Sequence, residues 1–233
     1  MSEPNDGERS DDTDESVVVR YKFASQFIRP TDHVLDVSCG EGLGTAVISR
    51  YAELVEGIDY SETAINIAKE KYVNLKNVKF FRDDAEQLNS QKDQSKDLIV
   101  SLETIEHVRH AETFVRRCKD ILKPNCLFLL STPNDFWSNH TNKWHIHEFK
   151  PDELFSLLSN QGFEVEKYWG SEEPSVFKKT TQRYRGMINS IPLGIRKHLG
   201  GSMFKRDTAI LETQRHELNK FLTMFFLARK KLD

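Results

Sequence analysis

From residue 33 onward, short apolar runs of strand length alternate with longer stretches whose apolar residues recur at helical spacing. His33 to Ser38, a short buried run, Leu54 to Asp59, Val78 to Arg82, Asp97 to Leu102 and Cys126 to Ser131 read as five strands. Helices are predicted from about Gly44 to Ala52, after Ser61, from Ala111 to Leu122 and from Pro151 to Gln161. Ser61 supplies an N-cap with Glu62 in the first turn, and Pro151 and Gly162 mark the start and stop of the last helix. A leading helix over Val17 to Ile28 stops before Pro30. Phe163 to Trp169 alternates like a strand, and Thr223 to Ala228 reads as a final one. Strands separated by helices imply an α/β fold, a doubly wound and mainly parallel sheet with helices on both faces.

The flanks of this pattern differ from it. Residues 1–16 carry seven acids and one Arg, so an acidic disordered tail is expected there, with residues 17–233 as one domain. About fifty residues before the last strand, roughly 170–220, are broken by Pro174, Gly186, Pro192, Gly194, Gly200 and Gly201. They read as a helical insertion within the domain, a lid that selects the substrate. Its basic residues, among them Lys178, Lys179, Arg183, Arg196 and Lys197, face either solvent or an anionic substrate.

With 38% hydrophobic and 30% charged residues the bulk is globular. The net charge of −3 gives no overall bias toward nucleic acid. Apolar runs such as Leu127-Phe128-Leu129-Leu130 are too short to cross a membrane, and the N-terminus lacks an apolar signal core. The three cysteines, Cys39, Cys118 and Cys126, form no CxxC pair and no even framework, so a reduced cytoplasmic setting is expected.

The sharpest chemical signal is His33-Val34-Leu35-Asp36-Val37-Ser38-Cys39-Gly40-Glu41-Gly42-Leu43-Gly44, a strand feeding a glycine-rich turn and then a helix. The glycines let backbone amides approach a ligand closely. The spacing is GxGxG, and Thr45 and Ala46 do not supply the third glycine of a dinucleotide fingerprint, which argues against an NAD-dependent dehydrogenase. Asp36, inside the strand, suits a cationic ligand group better than a pyrophosphate. Asp59 ends the second strand, where a carboxylate can accept from both ribose hydroxyls, and Tyr60 can pack on an adenine face.

On these residues the chain resembles the class I S-adenosylmethionine-dependent methyltransferases, from about Val34 through Trp169 and again at Phe225 to Lys230. The resemblance implies a Rossmann-like sheet of seven strands, the last antiparallel, with S-adenosyl-L-methionine as cofactor. It implies that Asp36 and the loop Cys39, Gly40, Gly42, Gly44 hold the methionine part and that Asp59 binds the ribose. Asp84 and Ala85 match the adenine position, and Ser101, Leu102 and Glu103 close the pocket.

Two clusters follow the fourth and fifth strands. Glu103, Glu106 and His107 would share one face if Glu103-Thr104-Ile105-Glu106-His107-Val108 turns helically. Trp144-His145-Ile146-His147-Glu148-Phe149 lies in the next loop. These segments are similar to a subgroup that includes ubiquinone-biosynthesis O-methyltransferases, glycan and small-molecule methyltransferases, and small-RNA 3′-terminal 2′-O-methyltransferases. By that resemblance Glu103, Glu106, His107 and His145 would hold a divalent ion, Mg²⁺ or Mn²⁺, beside the target hydroxyl. Alternatively His107 acts as a plain general base, with His145 and Glu106 beside it. Phe149 stands where the RNA enzymes have Trp. His110 and His140 read as surface residues.

O-methylation of a sugar or other small, hydroxylated metabolite is therefore expected, the acceptor free or linked to a nucleotide or lipid. Aromatic residues such as Phe136, Trp137, Trp144, Tyr168, Trp169, Phe177 and Tyr184 are candidates to line its site. An RNA acceptor is less favoured, and a non-catalytic, cofactor-binding regulator or partner subunit is the reading from another class.

Overall fold

A computed structural model of the protein describes residues 14–138, 140–171 and 210–232. Strands β1 (His33–Val37), β2 (Leu54–Asp59), β3 (Val78–Arg82), β4 (Lys96–Leu102) and β5 (Leu122–Pro133) pair in parallel. Strands β6 (Phe163–Ser171), β7 (Ile210–Glu212) and β8 (Thr223–Lys230) complete the order β3-β2-β1-β4-β5-β8-β6-β7. The expected seven-stranded, mainly parallel sheet is present, with its last strand β8 antiparallel to β5 and β6. The short strand β7, antiparallel to β6, is an eighth at the edge. Three residues are too few to carry a period-two pattern, and the sequence reading had assigned them to the insertion.

Both faces of the sheet are buried, and neighbouring residues divide between them. Leu35, Ile99, Phe128 and Phe226 face one core, whereas Val34, Leu98, Leu129 and Phe225 face the other. Helices α4 (Ala111–Ile121) and α5 (Pro151–Asn160) cover the first face, α4 through Phe114, Val115, Cys118 and Ile121 at helical spacing. Helices α1 (Asp14–Ala24) and α2 (Leu43–Ile48) cover the second with Tyr21, Phe23 and Ile48. Helix α3 (Glu62–Lys71) packs Ile65 and Ala68 against Phe80 of β3. Its N-cap is the expected Ser61, whose hydroxyl accepts from the Ala64 amide.

Several boundaries differ from the reading of the sequence. The first helix begins at Asp14, within the stretch expected as tail, and its end tightens into a 3₁₀ turn, Ser25–Phe27. Helix α2 stops at Ile48, whose carbonyl accepts from the Tyr51 amide three residues on (3.0 Å), and the Asn77 side-chain amide donates to the carbonyls of Ser49 (2.7 Å) and Ala52 (3.1 Å) beyond it. Strand β5 extends beyond both expected ends, pairing at Leu122 with Lys96 and at Pro133 with Thr223. Among the described residues no helix is long and apolar enough to cross a membrane. The expected tail up to Thr13, most of the insertion with its basic residues, Phe177 and Tyr184 lie outside the described residues.

One contact between α1 and α2 sets how closely they approach. A side chain on Gly44 would meet the Tyr21 ring at 2.1 Å. Gly44→Ala is therefore expected to displace Tyr21 and cost about 1–3 kcal/mol in urea unfolding. In a Tyr21→Ala background the same substitution should cost less than about 1 kcal/mol.

Candidate active site

The strand order reverses between β1 and β4, so a crevice opens beyond their carboxyl ends. The predicted residues gather there. Asp36, fully buried near the end of β1, receives hydrogen bonds from the Tyr21 hydroxyl (2.8 Å) and the Thr45 hydroxyl (2.5 Å). Both of its oxygens are thus engaged, one by α1 and one by α2. Neither partner was expected, since only tertiary packing brings Tyr21 to Asp36. Burial pushes the Asp36 carboxyl up to about 7, although both hydrogen bonds favour its charged form.

Beyond Asp36 the backbone bends at Ser38, Gly40 and Gly42, with φ of 61°, 54° and 83°. A side chain on Gly42 would strike the Phe80 ring at 2.7 Å, whereas among the described residues nothing lies within 4 Å of the corresponding position on Gly40. The loop is packed on one side and open on the other. Cys39 turns inward, close to Gly57, and burial drives its thiol well above its usual range. Asp59 accepts from the amides of Gly40 and Ser61, both at 2.9 Å. Each oxygen of a carboxylate has capacity for a second donor. Tyr60 is exposed with the Arg82 guanidinium over its ring. Asp84 and Ala85 are half-buried in the turn after β3, where Asp84 accepts from the Glu86 amide.

After β4, Leu102 is buried, and Glu103 takes a positive φ of 53°. Its carboxylate accepts from the Ser131 hydroxyl (2.6 Å), and its amide donates to the Ser131 carbonyl. The expected helical face of Glu103, Glu106 and His107 is not formed. A single 3₁₀ turn, Ile105–His107, follows instead, and Glu106 and His107 gather with His145, without Glu103, in a cluster of potential ligand atoms.

Glu106 is fully buried. One oxygen accepts from the Thr132 hydroxyl (3.0 Å), and the other has no hydrogen-bond partner among the described residues. Burial raises its carboxyl well above the usual range, and the charges of Glu103 and Glu148 add to the effect. The His107 Nδ1 lies 3.0 Å from the Trp144 carbonyl, which assigns the proton to Nδ1 and leaves Nε2 as a lone pair. That Nε2 lies 3.9 Å from the free oxygen of Glu106. Desolvation keeps His107 below its ordinary pKa. The amides of Ile146 and His147 both donate to the Glu106 carbonyl, pinning the later loop onto this turn.

His145 stands 4.9 Å from His107 between ring centres. Its Nδ1 contacts Glu148 Oε1, and its Nε2 faces the Asn142 amide at 2.9 Å. Burial disfavours the Glu148 charge, but Ser138, His145 and His140 outweigh it and hold its pKa below the usual range. His147 points away to Glu153 on α5. An unpaired carboxylate oxygen facing an imidazole lone pair fits either a shared proton or a divalent cation. His145 would join such a cation only by exchanging its Asn142 contact.

Residues 35–130, from β1 into β5, match the profile of a family described as "Methyltransferase domain". A Mycolicibacterium smegmatis protein named "Probable S-adenosylmethionine-dependent methyltransferase" is 32% identical over 164 residues, covering 66% of this chain and 61% of its own. A "Ubiquinone biosynthesis O-methyltransferase" of Coxiella burnetii is 33% identical over 118 residues, half of each chain. The chain thus spans about half to three-fifths of the length of these curated relatives. The crystal structure of the [4+2]-cyclase SpnF superposes with a TM-score of 0.65 at 16% identity, covering 93% of this chain and 81% of the other. That likeness speaks for the fold alone.

The Asp36 carboxyl has a consequence for stability. In an unfolded chain it titrates near 3.8, and in the folded one near 7. Between those values the folded state holds a proton that the unfolded state has lost, so stability falls as pH rises through the window. Wild type should lose more unfolding free energy between pH 5 and pH 8 than Asp36→Asn, by about 1–3 kcal/mol in urea titrations.

Proposed function

Since the chain belongs to the class I S-adenosylmethionine-dependent methyltransferases, we propose that it methylates a hydroxyl on a sugar or other small metabolite. The carrying observation is the neutral His107, its Nε2 unprotonated beside a buried Glu106 at the strand ends that open onto the glycine loop. The similarity to a ubiquinone-biosynthesis O-methyltransferase supports a hydroxyl acceptor.

The residues fit the cofactor in two respects. The face above Gly40 is open, and the Asp59 carboxylate retains acceptor capacity for vicinal hydroxyls. Asp59 would hold the ribose, Asp84 and Ala85 the adenine, and the amides of the glycine loop the methionine part. When bound, the cofactor supplies an electrophilic sulfonium methyl. What remains for the protein is to align a hydroxyl oxygen in line with that methyl and take up its proton. His107 Nε2 would accept the proton. The Glu106 carboxyl, 3.9 Å away and with its affinity for a proton raised by burial, would share the proton taken up. Glu148 would keep His145 oriented beside them.

A metal-assisted variant rests on the unpartnered oxygen of Glu106. Glu106, His107 and His145 would then hold Mg²⁺ or Mn²⁺, an ion that lowers the pKa of a bound hydroxyl.

Calorimetry should show S-adenosylmethionine binding, weakened about tenfold or more by Asp59→Ala. With an acceptor found by a metabolite screen that reads out the demethylated cofactor, His107→Ala should lower turnover at least about 100-fold while cofactor affinity stays within about threefold. Unchanged turnover would remove His107 from the chemistry. Full activity after exhaustive chelation removes the metal variant and leaves the base. Loss that Mn²⁺ restores in wild type, but not in Glu106→Gln, supports the metal.

A further inference from the structure

The loop between β5 and α5 carries a second group of ligand-type side chains, beside the Glu106–His107–His145 cluster but made of other residues. Asp135 lies at the loop's start, His140 in its middle and Glu148 near its end. One potential ligand atom from each lies within 4.8 Å of the others. The backbone already closes the loop at its base, where the Asp135 amide donates to the Phe149 carbonyl at 3.1 Å.

Glu148 gives the group its direction. Its side chain is 4% exposed, and its two oxygens have different surroundings. Oε1 contacts His145, and the Ser138 hydroxyl lies close enough to favour the carboxylate's charge, whereas Oε2 accepts no hydrogen bond of good geometry among the described residues. His140 Nδ1 lies 3.5 Å from it. On its other edge His140 Nε2 is 3.5 Å from Asp135 Oδ1. Both separations exceed the length of a good N–H···O bond, so the imidazole hydrogen-bonds neither acid. Lys150 approaches the other Asp135 oxygen, at 3.7 Å, and leaves Oδ1 turned toward the group. A cavity of about 260 Å³ opens here, lined by Asp135, His140, His145 and Glu148 among others.

We infer that Asp135, His140 and Glu148 form a second divalent-cation site, one that takes a transition-metal ion such as Zn²⁺ or Mn²⁺. Two carboxylates and one imidazole suit such ions better than the all-oxygen set preferred by Mg²⁺ or Ca²⁺. His140 is 66% exposed in its side chain, so the ion enters from solvent and keeps water in its open positions. Bound there, it links the start, middle and end of the loop. It also gives the unsatisfied oxygen of Glu148 a partner while the other oxygen orients His145. The site makes no use of Glu106 or His107, so it stands whether or not their cluster holds a metal.

The test is calorimetry of the full chain with ZnCl₂ and, separately, MnCl₂, after chelator treatment and dialysis. His107→Ala cripples the first cluster and should still bind one ion. Adding His140→Ala to it should weaken that binding at least about tenfold or abolish it. Because His140 is exposed, this variant is expected to keep the wild-type thermal midpoint. Asp135→Asn, made in the same background, should weaken the ion as well. No binding to His107→Ala with either metal, or binding that survives both second substitutions, would overturn the inference. Failure of the methyltransferase reading would appear instead as absent cofactor heat with the ion titration intact.

Discussion

At the end of the first strand, a carboxylate shielded from water joins three elements. Asp36 belongs to β1, Tyr21 to α1 and Thr45 to α2, and two hydroxyl hydrogen bonds tie them together. A buried carboxylate without such donors is costly, so the arrangement persists only while both helices are seated. The glycines obey the same constraint. Gly44 lacks a side chain because the Tyr21 ring occupies that space, and Gly42 because the Phe80 ring does. The GxGxG spacing thus records packing on the inner side of the loop as much as ligand access on the outer side. A loop so clamped presents its amides in one conformation, which is the preorganisation that tight ligand binding rewards.

The strand ends beyond that loop concentrate acceptors. Asp59, Glu103, Glu106 and Glu148 each engage an amide, hydroxyl or imidazole, and in Glu106 and Glu148 one oxygen is left over. Buried carboxylates with spare lone pairs favour whatever positive charge can reach them: a proton, a metal ion or a sulfonium. Glu106 answers in part by raising its own pKa. This shared polarity explains how one crevice can be suited to a cationic cofactor, an imidazole base and a divalent ion without a separate scaffold for each.

How much of this could be read from the sequence varied with the range of the interaction. Strands and helices were legible because alternation and helical spacing are local, and both faces of the sheet are apolar enough to leave a clear trace. The boundary of α2 left no such trace: after Ile48 the chain tightens into a turn, and its next carbonyls are held by Asn77, far along the chain. Glu106, His107 and His145 were legible as chemistry, since acids and imidazoles at strand ends are conspicuous. The exclusion of Glu103 was not, because it depends on one backbone torsion and on Ser131 of the neighbouring strand. Tyr21, Thr45 and Thr132 carry no local signal at all. They matter only because folding sets their hydroxyls against buried acids.

The likeness to a cyclase bears on what decides function here. A sheet of this topology, matched at a TM-score of 0.65, supports a chemistry that is not named as methyl transfer. The fold alone therefore does not select the reaction. On the proposed function the loops after β4 and β5 do, through the atoms they leave without partners among the described residues. In this chain two amides pin the second loop onto the Glu106 carbonyl, and the Trp144 carbonyl sets the tautomer of His107. On the proposed function, the capacity of His107 as a base follows from a backbone contact made thirty-seven positions away. The specificity of such a site lies in how two loops close on each other, and a scaffold shared with other chemistries is the rigid base that lets them do so.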